Sequence, residues 1–225
     1  MLRVEVGGAA LGLHPSGALW IEAERTWVVA DAHFGKAQSF RSLGVPVPGG
    51  TTEANLQKLD VLLQGAGARR LVFLGDLLHS SRSLDGPLNT QFVQWRARHA
   101  KLGVTLVRGN HDAHAGDPPD AWSVEPVDEP WGLGPWTLWH HVGESTLGGG
   151  HHIQGHLHPC VVLRAGGNER LRLPVFWHQQ NGLASLLTLP AFGEFTGMKS
   201  IQPTDSDLVF AIAADQVRAV PALAR

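Results

Sequence analysis

Apolar residues in this chain gather into short unbroken runs, and several runs end on a polar residue that has no place in a core. The clearest is Leu71–Leu74, followed by Gly75 and Asp76. Four consecutive apolar residues suit a central strand buried on both faces, and ligand sites in open α/β sheets lie just beyond the carboxyl ends of such strands. An isolated Asp there is as readily a helix cap, but the pattern recurs. Trp27–Ala30 ends in Asp31-Ala32-His33, and Val104–Val107 ends in Arg108-Gly109-Asn110-His111-Asp112. Between these runs lie two stretches with helical spacing. Thr51 or Thr52 caps the first, with Glu53 in its first turn, Leu56, Leu59 and Leu63 on its apolar side, and Gly65 and Gly67 at its end. The second covers about residues 88–102, with Leu88, Phe92, Trp95, His99 and Leu102 inward and Gly103 as its stop. Residues 36–50, rich in Gly and Pro, read as a loop beside the strand ends. Strand, helix, strand, helix, strand implies parallel pairing through right-handed crossovers, which brings Asp31, Asp76 and Asn110 to one sheet edge.

The flanks are less regular. Residues 2–24 predict short strands around Pro15-Ser16-Gly17, with His14 a surface residue. From residue 115 prolines punctuate the chain, and strands with little helix are expected. Trp136–His140 runs into His140-His141, and Gly148-Gly149-Gly150 leads to His151-His152 and then Gly155-His156-Leu157-His158-Pro159. Further strands are expected at Cys160–Leu163, Leu171–Phe176, Leu183–Leu189 and Leu208–Ala213. No repeat or charged linker divides the chain, so one continuous domain over residues 1–225 is the expectation.

Composition narrows the chemistry. A formal charge of -2 gives no global basic field for nucleic acid; Arg164, Arg170, Arg172 and Lys199 make at best a thin basic patch. The single cysteine, Cys160, excludes a disulfide framework and a cysteine-rich zinc site, and reads as a small buried hydrophobe. There is no tyrosine, which excludes a phenol mechanism, but there are 13 histidines. No apolar run reaches the length of a membrane span and no signal stretch opens the chain, so a soluble cytoplasmic protein is expected.

Collected in order, the candidate groups are Asp31 and His33, Asp76, Asn110 and His111, His140 or His141, then His156 and His158. This oxygen-and-imidazole set without thiolates suits Mn, Fe or Zn. It is too large for one tetrahedral ion and suits two ions about 3.5–4 Å apart, the arrangement that hydrolyses phosphate esters.

Asp31-x-His33, Gly75-Asp76, Gly109-Asn110-His111-Asp112, a histidine after a strand, and Gly155-His156-x-His158 together resemble the calcineurin-like metallophosphoesterases. Gly155-His156-Leu157-His158-Pro159, Leu173-Pro174-x-Phe176-Trp177 and Leu189-Pro190-Ala191-Phe192-Gly193-x-Phe195-Thr196-Gly197 resemble, within them, the bacterial ligase-associated DNA damage response endonucleases, the PdeM-type phosphoesterases. The resemblance implies an α/β, four-layer sandwich of two mixed β-sheets flanked by helices, with the metal site at the strand C-terminal ends. It implies that Asp31, His33 and His158 hold one metal, that Asn110, His140 and His156 hold the other, and that Asp76 bridges them. A hydroxide between the ions would attack phosphorus, His111 would protonate the leaving oxygen, and Asp112 would orient the His111 ring. The subgroup pattern favours His140 over His141, although Val142 stands where its proline is expected. Many superfamily members carry a second Asp three residues after the bridging one; His79 stands there, facing substrate or water. Arg108 is read as approaching the phosphate or as a surface residue.

The reading that follows is a manganese-dependent phosphodiesterase, a nuclease of DNA repair with DNA as substrate. Functional association with a DNA ligase and helicase is implied by the resemblance only. A phosphomonoesterase or cyclic-nucleotide phosphodiesterase would use the same chemistry. A non-catalytic scaffold of the same fold would be expected to lack part of the ligand set, which here is complete.

Overall fold

The computed structural model describes residues 1–47, 49–65, 67–143, 147–164 and 170–220. Strands β1 (Leu2–Val6), β2 (Ala9–Leu13), β3 (Leu19–Ile21), β4 (Thr26–Ala30), β5 (Arg70–Leu74), β6 (Gly103–Val107) and β7 (Glu125–Val127) form one sheet in that spatial order. The first four make an antiparallel meander, and β4 to β7 are parallel. Helices α1 (Lys36–Ser42) and α2 (Thr51–Leu63) lie between β4 and β5, α3 (Leu88–Arg98) between β5 and β6, and α4 (Asn110–Ala115) follows β6.

Three local expectations are corrected. Residues 36–50 do not form only a loop, because α1 occupies Lys36–Ser42. Only Ala37 of that helix is fully buried, so it carries no apolar stripe for periodicity to detect. Neither Thr51 nor Thr52 caps α2; its N-cap is Gly50, at φ 79°, with no side-chain cap. Helix α3 stops at Arg98, because the Arg96 guanidinium takes the carbonyls of His99 and Leu102 and holds the chain in a turn there.

The second sheet has nine strands. Its path runs β14 (Lys199–Ser200), β11 (Pro159–Arg164), β12 (Arg170–Asn181), β13 (Ala184–Thr188), β10 (Gly150–Gln154), β9 (Trp136–Trp139) and β8 (Trp131–Leu133), while β15 (Leu208–Ala213) pairs with β12 and with β16 (Gln216–Val220). Strand alternation divides the interior. Val28, Ala30, Val72, Leu74 and Val107 pack against Leu138, Ile153, Phe176 and Leu187 of the second sheet. Trp27, Val29, Leu71, Phe73 and Leu106 face Leu56, Leu59, Phe92 and Trp95 of the helices. The central strands are thus buried on both faces, as continuous apolar runs require.

The architecture is the expected α/β sandwich of two mixed sheets flanked by helices, with the metal-ligand candidates at the strand ends. Among the described residues the outer side of the second sheet carries no helix; Val161, Val175, Val209 and Ala211 cluster there with Leu173, Trp177 and Val220. Cys160 is fully buried in β11. No described helix is long and apolar enough to cross a membrane.

Candidate metal centre

Parallel pairing brings the ends of β4, β5 and β6 together, and β9 and β10 of the second sheet end beside them. Asp31 and His33 follow β4, Asp76 follows β5, and Asn110 opens α4 after β6. His140 directly follows β9, and His156 comes two residues after β10. Asp31, His33, Asp76, His156 and His158 all have positive φ, between 45° and 66°. Non-glycine residues occupy this region at a cost of order 1–3 kcal/mol each, and such strain concentrates at functional sites. Two glycines make room for the convergence. A Cβ on Gly75, at φ 73°, would lie 1.8 Å from Nδ1 of His140. One on Gly155 would lie 2.9 Å from Oδ2 of Asp31 and 3.0 Å from the Leu74 carbonyl oxygen.

The convergent groups form two triads, Asp31–His33–His158 and Asp76–His140–His156, each with ligand atoms close enough to share one metal ion. In the first, Oδ2 of Asp31 accepts the backbone N–H of His156 at 2.8 Å, while Oδ1 is buried without a hydrogen-bond partner. Nε2 of His158 lies 3.3 Å from that bare oxygen, and its Nδ1 donates to the Gly197 carbonyl at 3.0 Å. A carbonyl only accepts, so Nδ1 carries the proton and Nε2 can present a lone pair, the usual outer-sphere device for a metal-binding histidine. In the second triad, Nδ1 of His140 donates to the Leu74 carbonyl at 3.3 Å. Its Nε2 then faces Oδ1 of Asn110 and Nδ1 of His156, each at 3.0 Å, and Oδ1 of Asp76 at 3.4 Å. Asn110 thus joins the second cluster. Two oxygens and two imidazole nitrogens converging in this way hold more lone pairs than protons, and a cation satisfies them.

Asp76 stands between the clusters. Its Oδ1 faces His140, and its Oδ2 lies 3.8 Å from Nε2 of His33. The backbone N–H of His111 donates to Oδ1 at 3.0 Å.

Burial sets the protonation of the metal-free site. It drives His33 down to about 2, helped by Lys36 and the neighbouring histidines, and drives His79 and His156 down to about 4. All three rings are neutral at neutral pH, and His33 and His156, which belong to the triads, can offer a lone pair to a metal. Burial pushes the Asp76 carboxyl up, against the opposing pull of His140. Burial also pulls His158 down, but the negative charge of Asp31 beside it and the Gly197 carbonyl prevail and raise it.

Other histidines, and the arginines of the sequence analysis, stand elsewhere. His141 is exposed, its ring 4.2 Å from that of His156 and outside both triads. His114 bonds the Asn110 carbonyl, His151 bonds Ser185, and His152 bonds Trp139 and the Gly148 carbonyl. Arg108 does not face the site; it is held by Asp117 and Asp128, at 2.7 Å from each. Of the thin basic patch, Arg172 is bound to the Met198 carbonyl, and the side chain of Arg164 lies outside the described residues.

Asp112 needs a correction. It is not placed to orient the His111 ring, because its carboxylate is taken up by backbone donors. Its Oδ2 accepts Gly109 N–H at 2.9 Å, and its Oδ1 accepts Leu77 N–H at 3.0 Å and Leu78 N–H at 3.3 Å. Burial pushes this carboxyl up to about 6, against those donors. Asp112 ties the start of α4 to the loop after β5, and so positions Asn110, His111 and Asp76 through the backbone.

Two contributors went unread in the sequence. The Glu129 carboxylate accepts the backbone N–H groups of both His140 and His141. Lys36, at the start of α1, is half-buried and close enough for Asp76 and Asp31 to oppose the lowering of its pKa by burial. A cation five residues after Asp31 was a visible signal for Lys36, hidden by reading that stretch as loop; Glu129 offered none.

Comparison with known proteins agrees with this geometry. The sequence pattern of the calcineurin-like phosphoesterase family matches residues 24–185. The crystal structure of the nuclease MPE from Pseudomonas putida shares 39% identity over 97% of this chain and 99% of that one, with a TM-score of 0.83. Yfce, a phosphoesterase from E. coli, aligns over 88% of this chain and 93% of that one at 15% identity and a TM-score of 0.42. No curated protein matches the chain. With its motifs on one sheet edge and its sequence matched across most of its length, the chain belongs to the calcineurin-like phosphoesterase family and is a metal-dependent phosphoesterase.

Proposed function

We propose that the protein is a binuclear, manganese-dependent phosphodiesterase that cuts nucleic acid. The observation that carries the reading is Asp76, a buried carboxylate with one oxygen toward each cluster of ligand atoms. In this reading Asp31, His33 and His158 would hold one ion and Asn110, His140 and His156 the other, with the Asp76 carboxylate between the two sets; ions held there would supply Lewis-acid activation of water and charge neutralisation at the phosphoryl group. An oxygen-and-imidazole set suits manganese.

The chain's own groups do the rest. His111 stands on the rim, its side chain 42% exposed and its Nε2 4.0 Å from Oδ2 of Asp76, where a substrate can reach it. It hands a proton to the leaving oxygen. Its backbone bond to Asp76, together with the Asp112 tie, keeps that ring in step with the metal ligands. Lys36 adds positive charge for an anionic substrate. Whole-length similarity to a nuclease supports nucleic acid as substrate. The setting in DNA repair, with a ligase and helicase nearby, rests on the resemblance of the Gly155–Pro159, Leu173–Trp177 and Leu189–Gly197 stretches alone.

The test is a substrate panel with Mn, read beside elemental analysis: bis-p-nitrophenyl phosphate, a phosphomonoester, cyclic nucleotides, and single- and double-stranded DNA. Two ions per chain with turnover of diesters and DNA is expected. One ion per active chain, or a preference for the monoester, rejects the reading.

A further inference from the structure

The stretch Ala191–Gly197 takes no part in the metal clusters, yet it is fastened beside them, through Gly193 to Asp31 and through Gly197 to His158. Ala191 bridges Ala30, and the N–H groups of Phe192 and Gly193 bond the carbonyls of Ala30 and Asp31. Lys58 donates to the Phe192 carbonyl at 2.6 Å, Asn55 accepts the N–H of Glu194, and Gly197 receives the His158 ring. Within this anchored segment the Phe195 side chain reaches away to meet Phe40 of α1 edge-on, ring centres 5.7 Å apart at 82°. Phe40 lies 5.9 Å from His79, and His79 stacks on His111 at 5.5 Å and 26°. A row of four half-buried rings, His111, His79, Phe40 and Phe195, therefore begins beside the metal centre at His111.

A phosphoesterase acting only on the phosphoryl group has no use for such a row. A nucleotide does, since every base has a flat π-face that stacks on aromatic rings whatever its sequence. His111 also defines which side is meant: a ring that protonates the leaving oxygen stands beside the leaving nucleoside. We propose that Phe40 and Phe195 form a stacking wall for the nucleobase of the nucleotide that leaves from the cleaved phosphodiester. The proposal rests on the nuclease reading above.

The experiment is a cycle on one oligonucleotide with a single native phosphodiester, its other linkages being uncharged methylphosphonates. The leaving nucleotide carries either thymine or an abasic sugar, each arrangement being made with the leaving group 3′ and 5′. Stacking on aromatic side chains is worth about 5- to 150-fold per base. For the wild type, removing the base should lower kcat/KM by a factor in that range. For Phe195→Ala and Phe40→Ala the base and abasic strands should be cleaved alike. Phe195→Leu, which keeps apolar volume without a flat face, should behave like Phe195→Ala while holding its thermal stability and metal content. If the variants lose as much as the wild type when the base is removed, the wall is refuted and the nuclease reading stands. If the wild type hydrolyses bis-p-nitrophenyl phosphate but neither strand, both fall together.

Discussion

Nε2 of His140 lies 3.0 Å from Nδ1 of His156, with Oδ1 of Asn110 at the same distance from it. The other nitrogen of His140 is committed to the Leu74 carbonyl, so this contact leaves lone pairs in want of a cation. His140→Ala should cost about one ion per chain. Removing a group that only orients a ligand costs about 10–100-fold in affinity, and loss of a direct ligand should exceed that. His141→Ala should keep both ions, since that ring is exposed. Metal content of the two variants decides it, and loss at His141 alone would transfer the role.

Asp76→Asn should weaken both ion sites together, because a neutral amide offers one weak acceptor where the carboxylate presents an oxygen to each cluster. Titration calorimetry with Mn should show neither site at its wild-type affinity. One site left intact would remove Asp76 from the bridge.

His111→Ala should retain both ions and distinguish between substrates. A general acid contributes about 10²–10⁴-fold, needed for a sugar alkoxide and hardly needed for p-nitrophenolate. Cleavage of a nucleotide diester should therefore fall far more than that of bis-p-nitrophenyl phosphate. Parallel losses with metals intact would point to phosphate binding by His111 instead.

Asp112→Ala should act on stability first. It strips the Gly109, Leu77 and Leu78 N–H groups of their acceptor, at about 1–3 kcal/mol for each donor left buried without a partner. Denaturant unfolding measures the loss. With Asp112→Asn, which keeps one acceptor oxygen, the ratio of nucleotide-diester to bis-p-nitrophenyl phosphate cleavage should not move; a fall in that ratio would mean that Asp112 acts on the His111 ring after all.

In the metal-free protein His33 should resist protonation. Its folded pKa is lowered to about 2, whereas the unfolded chain takes up a proton near 6.5. Below about pH 6.5 the unfolded state therefore binds the extra proton, and the His33 contribution to stability falls as pH drops from 7 toward 4. Comparison with His33→Gln isolates it: the wild type should lose stability on the mutant by a slope approaching one proton per pH unit, about 1.4 kcal/mol. Parallel curves would show His33 titrating normally.

The strands, the crossovers and the convergence of the strand-end polar groups could be read from the sequence for one reason. Leu71–Leu74 and Trp27–Ala30 are apolar on both faces, as is Val104–Val107 apart from Thr105, and only a central parallel strand buries both. Once three such strands are joined by helices, handedness puts Asp31, Asp76 and Asn110 on one edge. What the tertiary structure alone decided is the direction of side chains in irregular backbone. His140 and His141 are adjacent and chemically identical; the turn that points one inward is held by the distant Glu129 carboxylate. Asp112 and Arg108 are charged groups whose roles depend on partners brought near only by folding: backbone donors after β5 for the first, Asp117 and Asp128 for the second. Phe40 and Phe195 lie 155 residues apart in the sequence, and no local pattern announces that they meet. Periodicity records which face a residue buries, whereas a partner chosen across such distances is fixed only when the packed core leaves it one place to go.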